Sequence, residues 1–211
     1  MLKMWGRNTS SNVQKAMWAV AELKLPCERI DVGGAYGKTK EPFYLAMNPN
    51  SLVPTLEEED GFTLWESNSI VRYLAMQYAP DLLYGNDIKT FASASRWADW
   101  ENNELLPPQH NMAMHLIRLP ENKRDPKVLA DACEKFARAI KIADDQLGRT
   151  RYIAGDRFTY GDIPLGLRVH RWHVLGLAQE TPPNIARWYT EIKARPAFNV
   201  YTADPAHHLE G

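Results

Sequence analysis

Hydrophobic spacing changes character once along this chain of 211 residues, near position 80, and that change limits the folds open to it. Before it, strand-like pieces alternate with helical ones. "MLKMW" is short and apolar, and Val13, Ala16, Met17, Val20 and Leu23 then recur at helical spacing, which predicts a helix over 12–24. "CERIDV" (27–32) alternates polar and apolar residues as a half-buried strand does. A glycine-rich loop, "VGGAYGK", leads to one or two helical turns in "EPFYLAMNPN", ended by Pro49. "VPTLEE" and "FTLWE" read as strands joined through Asp60-Gly61, a hairpin signal. "SNSIVRYLAMQY" follows as a helix with Ser67 as its expected N-cap.

The order β-α-β, short helix, β-β-α is that of a thioredoxin-like domain, expected over 1–79. From 87 onward no strand pattern occurs. "FASASRWADWENNELLPPQHNMAMHLIRL" is helical with an interruption at Pro107-Pro108. In "PKVLADACEKFARAIKIADDQLG" one face carries Val128, Leu129, Ala132, Phe136, Ile140, Ala143 and Leu147, with Gly148 as C-cap. "TYGDIPLGLRVHRWHVLGL" opens on Thr159-x-x-Asp162, a capping-box-like start, and "NIARWYTEIKARPAF" is a final amphipathic helix stopped at Pro196. The expected fold class is therefore α/β plus all-α, with a helical bundle over 87–211 and a linker at 80–86.

Charge narrows the function classes. Lys and Arg number 25 against 26 acidic residues, which argues against nucleic-acid or anionic-membrane partners. No apolar run approaches the roughly 20 residues needed to span a bilayer, and the N-terminus lacks a basic segment followed by a long apolar core. Cys27 and Cys133 fit neither a metal nor a C-x-x-C spacing, so reduced thiols and a cytoplasmic setting are expected. Both read as packing residues.

The hydroxyl run in "GRNTSSNVQK" stands where the first strand hands over to the first helix. Thr9, Ser10 and Ser11 can cap that helix, or they can hold an anion at its positive end. Two further segments bear on the choice. "NPNSLVPTLEEEDGFTLWESNSIVRYL" (48–74) and "FTYGDIPLGLRV" (158–169) resemble the glutathione-site segment and the capped core helix of cytosolic glutathione S-transferases. The resemblance covers nearly the whole chain, and "SSN" with Lys15 is most similar to the bacterial serine- and theta-like members.

That resemblance implies a cis Val53–Pro54 bond, otherwise rare, whose turn aims the Val53 N–H and C=O at the cysteinyl part of glutathione. It gives Glu66 the γ-glutamyl ammonium, and Ser67 with nearby N–H groups the γ-glutamyl carboxylate. Lys40, or Lys38, would neutralise the glycyl carboxylate, with Asn50 and Ser51 as weaker candidates. Matching the pattern T/S-x-N-x-x-K selects Ser10, Asn12 and Lys15, so that Ser10 donates to the sulfur and Asn12 assists; Ser11 or Thr9 holds that role in the alternative alignment. Lowering a thiol from about 8.5 by two units needs roughly 2.7 kcal/mol, within reach of a hydroxyl, an amide and a helix dipole together.

The resemblance places the electrophile against the second domain, with Trp97, Trp100, Asn103, Pro107, His110, Met114 and Trp172 as candidates. His170 and His173 are three apart, but no third ligand has suitable spacing, so no metal is assigned; His207-His208 reads as a solvated tail. The implied protein is a homodimeric transferase of detoxifying type, which uses glutathione as co-substrate to conjugate a small, apolar electrophile. Its alternatives are a glutathione-dependent disulfide or peroxide reductase, and a non-catalytic glutathione-binding or assembly module.

Overall fold

The computed structural model describes residues 1–78 and 87–202. The expected linker at 80–86 and the His207-His208 pair lie outside them. Two compact units emerge: residues 1–78 join with 196–202, and residues 87–195 form the other.

The first unit is built on a four-stranded sheet of order β2-β1-β3-β4, from β1 Leu2–Trp5, β2 Cys27–Ile30, β3 Thr55–Glu57 and β4 Thr63–Trp65. β1 pairs parallel with β2 and antiparallel with β3, and β3 pairs antiparallel with β4. Alternation along β1 sends Leu2 and Met4 into the core. Lys3 and Trp5 both reach the cross-strand Glu57, at 3.2 and 2.8 Å. β2 stops at Ile30, two residues short of the sequence expectation, where Asp31 turns to pair with Arg29.

Helix α1 runs Ser11–Glu22 and buries Val13, Ala16, Met17 and Val20. It ends before the expected residue 24 because Lys24 turns into the left-handed region at φ 54°. After α2, Pro42–Met47, helix α3 covers Ser67–Tyr78. Ser67 is its first residue rather than its cap, since the Glu66 carbonyl already accepts the Ile70 N–H at 2.9 Å.

In the second unit α4, Ile88–Trp100, begins on the Asp87 side chain, which accepts from the Lys89 and Thr90 N–H groups. The helical path then continues through Pro107-Pro108 instead of breaking. Residues Glu101–Leu105 widen into a π segment in which the Leu106 N–H reaches back five residues to Glu101, and α5, Leu106–Ala113, takes both prolines in its first turn. Proline is tolerated there because first-turn N–H groups have no partner within their own helix. A second π segment, Met114–Arg118, ends the run.

Helix α6, Pro126–Leu147, buries Ala132, Phe136, Ile140, Ala143 and Leu147 and is capped by Gly148. Val128 and Leu129 at its start are half-buried. Helices α7, Asp162–Val174, and α8, Pro183–Lys193, complete the unit. Pro196 both closes off α8 and opens a further helix, α9, Pro196–Thr202. α9 returns to the first unit, where Phe198 meets Trp18 edge-on with ring centroids 5.0 Å apart. The expected helical domain of 87–211 therefore gives up this segment to the sheet-bearing unit, because the Trp18 face of α1 needs an apolar cover.

Candidate functional site

Ser10 occupies the N-cap position of α1 with extended backbone, φ −79° and ψ 120°. Its carbonyl accepts the Gln14 N–H at 2.9 Å, while its hydroxyl makes no capping bond. No acidic side chain stands in the first turn to offset the positive helix end. Thr9, Ser10, Ser11 and Asn12 are all half-buried. A hydroxyl held at a helix N-terminus without a backbone donor to serve can donate to an anion placed there.

Gly6 brings this turn against a second element. A Cβ at Gly6 would lie 2.4 Å from Cγ2 of Val13 and 3.3 Å from Cβ of Val53. Only glycine allows α1 and the Val53 turn to approach β1 so closely. The Val53–Pro54 bond is cis. Its turn is clamped from α2 by two side chains that no sequence motif marks as site residues. Tyr44 donates its hydroxyl to the Leu52 carbonyl at 2.6 Å and meets the Thr55 hydroxyl at 3.0 Å. Asn48 donates to the same two oxygens at 2.9 and 3.1 Å. Burial pushes the Tyr44 hydroxyl pKa up, which keeps it a donor.

The third element is the β4–α3 corner. Glu66 is exposed and adopts φ 70°, a region disfavoured for any residue but glycine by about 1–3 kcal/mol. Ser67 behind it is buried at the start of α3. Lys15, wholly buried in α1, donates its ammonium to Asn68 Oδ1 at 2.9 Å and so ties the opening of α3 to the opening of α1. The sequence pattern singled out Lys15 without showing this linking role.

Lys38 and Lys40 are exposed in the loop before α2, and Asn50 folds back so that its N–H and its amide both donate to Asn48 Oδ1. Burial raises the Cys27 thiol to about 11, with Glu28 adding to it, and burial also raises Cys133. Neither is primed as a thiolate.

Comparison with known proteins bears on what these elements hold. The N-terminal domain model of the glutathione S-transferases matches residues 9–77, and the C-terminal domain model matches residues 126–191. Glutathione S-transferase GstB of Escherichia coli K12 is 37% identical over 93% of this chain and 95% of its own length. The chain belongs to the glutathione S-transferase family. The theta-class glutathione S-transferase of Xanthomonas axonopodis pv. citri, solved with glutathione bound, superposes with a TM-score of 0.91 at 37% identity, covering 96% of this chain and 97% of that one. Glutathione transferase F7 of Populus trichocarpa superposes at 0.86 with 26% identity over the full length of both chains.

In this transferase the electrophile candidates lie in the helical unit, and burial divides them. Trp97 and Trp172 are each only 7% exposed; Trp172 packs on Phe136, and Trp97 meets Trp100 edge-on. They serve its core. Asn103 and His110 are exposed, and Trp100 and Met114 are half-buried. Asn103 and Pro107 share a cleft of about 490 Å³ with Lys135, Arg138 and Ile142, which none of the other candidates lines. His170 and His173 both engage Tyr189, the first by a 2.8 Å hydrogen bond and the second by ring stacking at 4.8 Å. Among the described residues no group of three His, Cys, Asp or Glu is placed to hold a metal ion, and no helix is long and apolar enough to cross a membrane.

Proposed function

We propose that this transferase binds glutathione on its sheet-bearing unit, stabilises the thiolate with the Ser10 hydroxyl, and conjugates it to a small apolar electrophile. The observation that carries this reading is the uncommitted hydroxyl of Ser10 at the N-cap of α1, joined through Gly6 to the cis Val53–Pro54 turn. Val53 offers its backbone N–H and C=O to the cysteinyl unit in the manner of a strand. Ser67 and the N–H groups opening α3 take the γ-glutamyl carboxylate, and Glu66, turned outward by its φ of 70°, takes the ammonium. Lys40 supplies charge for the glycyl carboxylate, with Asn50 as a weaker candidate for the same end. Asn12 assists the sulfur, and Ser11 and Thr9 shape the same turn.

Sulfur then attacks the electrophilic carbon, and either a leaving group departs with its bonding pair or an activated double bond opens and its displaced pair takes a proton from water. Ser10 acts on the anion as a donor and forms no covalent intermediate. The accessible members of the helical set, Asn103, His110, Met114 and Trp100, are the residues read as facing the electrophile. The protein is also read as a cytoplasmic homodimer; light scattering of the purified protein measures the dimer.

Ultraviolet absorbance of the thiolate, followed as glutathione is bound across pH, tests the central step. Wild type should titrate the bound thiol on the acid side of free glutathione. Ser10→Ala should raise that midpoint by about 1–2 units and lower kcat/KM by about 10- to 100-fold. An unshifted wild-type titration removes thiolate activation altogether. Activity kept in Ser10→Ala and lost in Ser11→Ala would transfer the role to Ser11.

A further inference from the structure

The proposed glutathione reading leaves one charged side chain of the same unit unused. Arg7 follows Gly6 at the end of β1, where its N–H donates to the Val32 carbonyl at 3.0 Å and its own carbonyl accepts the Ser10 N–H at 3.2 Å. Its side chain crosses the loop after β2. A Cβ on Gly34 would lie 2.9 Å from Cδ and Nε of Arg7, and one on Gly33 would lie 3.4 Å from Nη1. The same point at Gly33 is 3.1 Å from Cγ1 of Val53 and 3.5 Å from Cγ2 of Thr39. The two glycines thus make room for a guanidinium between the hydroxyl turn, the cis-proline turn and the Thr39-Lys40 loop.

Among the described residues this guanidinium meets no counter-charge. Its Nε is withdrawn from solvent with no hydrogen-bond partner, and among the described residues no carboxylate pairs with it. Asp31, two residues before Gly33, is engaged by Arg29, which also donates to the Gly6 carbonyl at 2.9 Å. Partial burial lowers the Arg7 pKa. A half-buried guanidinium lacking an acceptor is unfavourable until an acceptor arrives. Its planar fork matches a carboxylate, which can accept two parallel bonds.

We infer that Arg7 is an oxyanion-binding residue of the substrate site, which pairs with a carboxylate of a bound molecule. This rests on the glutathione reading for the location of that site. Two carboxylates have the right chemistry: the glycyl end of glutathione, and an acid group on the electrophile itself.

Calorimetry and kinetics on wild type, Arg7→Met and Arg7→Lys separate them. Glutathione is compared with its glycyl ethyl ester, and 4-chloro-3-nitrobenzoate with the corresponding benzamide. If the glycyl end is the partner, Arg7→Met weakens glutathione binding by about 10- to 100-fold and leaves the ester unchanged, with Arg7→Lys in between. If the electrophile is the partner, glutathione affinity holds and kcat/KM falls about as far for the benzoate alone. Equal weakening of acid and ester, and of benzoate and benzamide, would mark a structural role and overturn the inference, as would no change in either pair. Wild type that binds glutathione while Arg7→Met shows no acid-selective loss defeats Arg7 only. Wild type that binds no glutathione defeats the reading beneath it and the inference with it.

Discussion

Asp162 has no solvent contact, and its carboxylate gathers four donors. The Ile153 N–H and Trp188 Nε1 reach Oδ1 at 2.9 and 2.8 Å, and the Thr159 N–H and hydroxyl reach Oδ2 at 2.9 and 3.3 Å. Burial raises its pKa to about 6 against these bonds, which lower it. The folded state therefore holds the proton more tightly than the unfolded chain, whose carboxyl titrates near 3.9. The resulting stabilisation is full below about pH 4 and is lost as pH rises through about 6. Asp162→Asn cannot titrate and turns an amide toward the Thr159 N–H. It should unfold about 1–3 kcal/mol more easily at pH 7. The pH dependence also shifts: wild type gains stability over the variant, beyond that offset, between pH 7 and 5 in urea melts. Thr159 and Asp162 were legible as a pair, although α7 takes Gly161 rather than Thr159 as its N-cap and Asp162 as its first residue. Trp188, 26 residues on, was not, since nothing in the spacing ties a distant indole to a helix start.

Caps that arrive from elsewhere in the chain recur among the helices. α8 begins after Pro182, which offers no side-chain cap, and Asp144 of α6 serves instead. Its Oδ1 accepts the Asn184 and Ile185 N–H groups at 2.8 and 2.9 Å. Asp144→Ala should lower stability by about 1–2 kcal/mol and the melting temperature by a few degrees, measured by calorimetry. Helix positions followed from apolar spacing because each buried stripe repeats with the helical period. The π segment before Pro107-Pro108 did not, because two prolines read as a stop. The chain evades the stop by widening at Glu101–Leu105, where the buried Glu101 carboxylate pairs with Arg168 of α7 and Gln109 holds Arg168 from the far side. Similarly, Val53-Pro54 and Glu66-Ser67 were legible as motifs, whereas Tyr44 and Asn48, which hold the turn, read as ordinary short-helix residues.

The two units differ in how the chain supplies them. Residues 87–195 form the helical unit from one uninterrupted stretch, while the sheet-bearing unit needs 196–202 as well. The break in pattern near 80 was readable because strand and helix periods differ. The return of α9 was not, because an amphipathic helix does not state which face it will cover. Phe198 is 2% exposed and Trp18 fully buried, so Phe198→Ala should destabilise by about 3–5 kcal/mol. Hydrogen exchange should speed up in α1 and leave α6 protected, which locates the loss.

The position of α9 also sets an order of events during synthesis. Residues that carry Ser10, Val53 and Glu66 are translated first, yet the surface behind α1 stays uncovered until the ribosome has made the whole helical unit. At ordinary elongation rates that interval is on the order of ten seconds. For that time the nascent chain presents Trp18 to solvent or to whatever holdase attends it. The unit made first is thus the last to close.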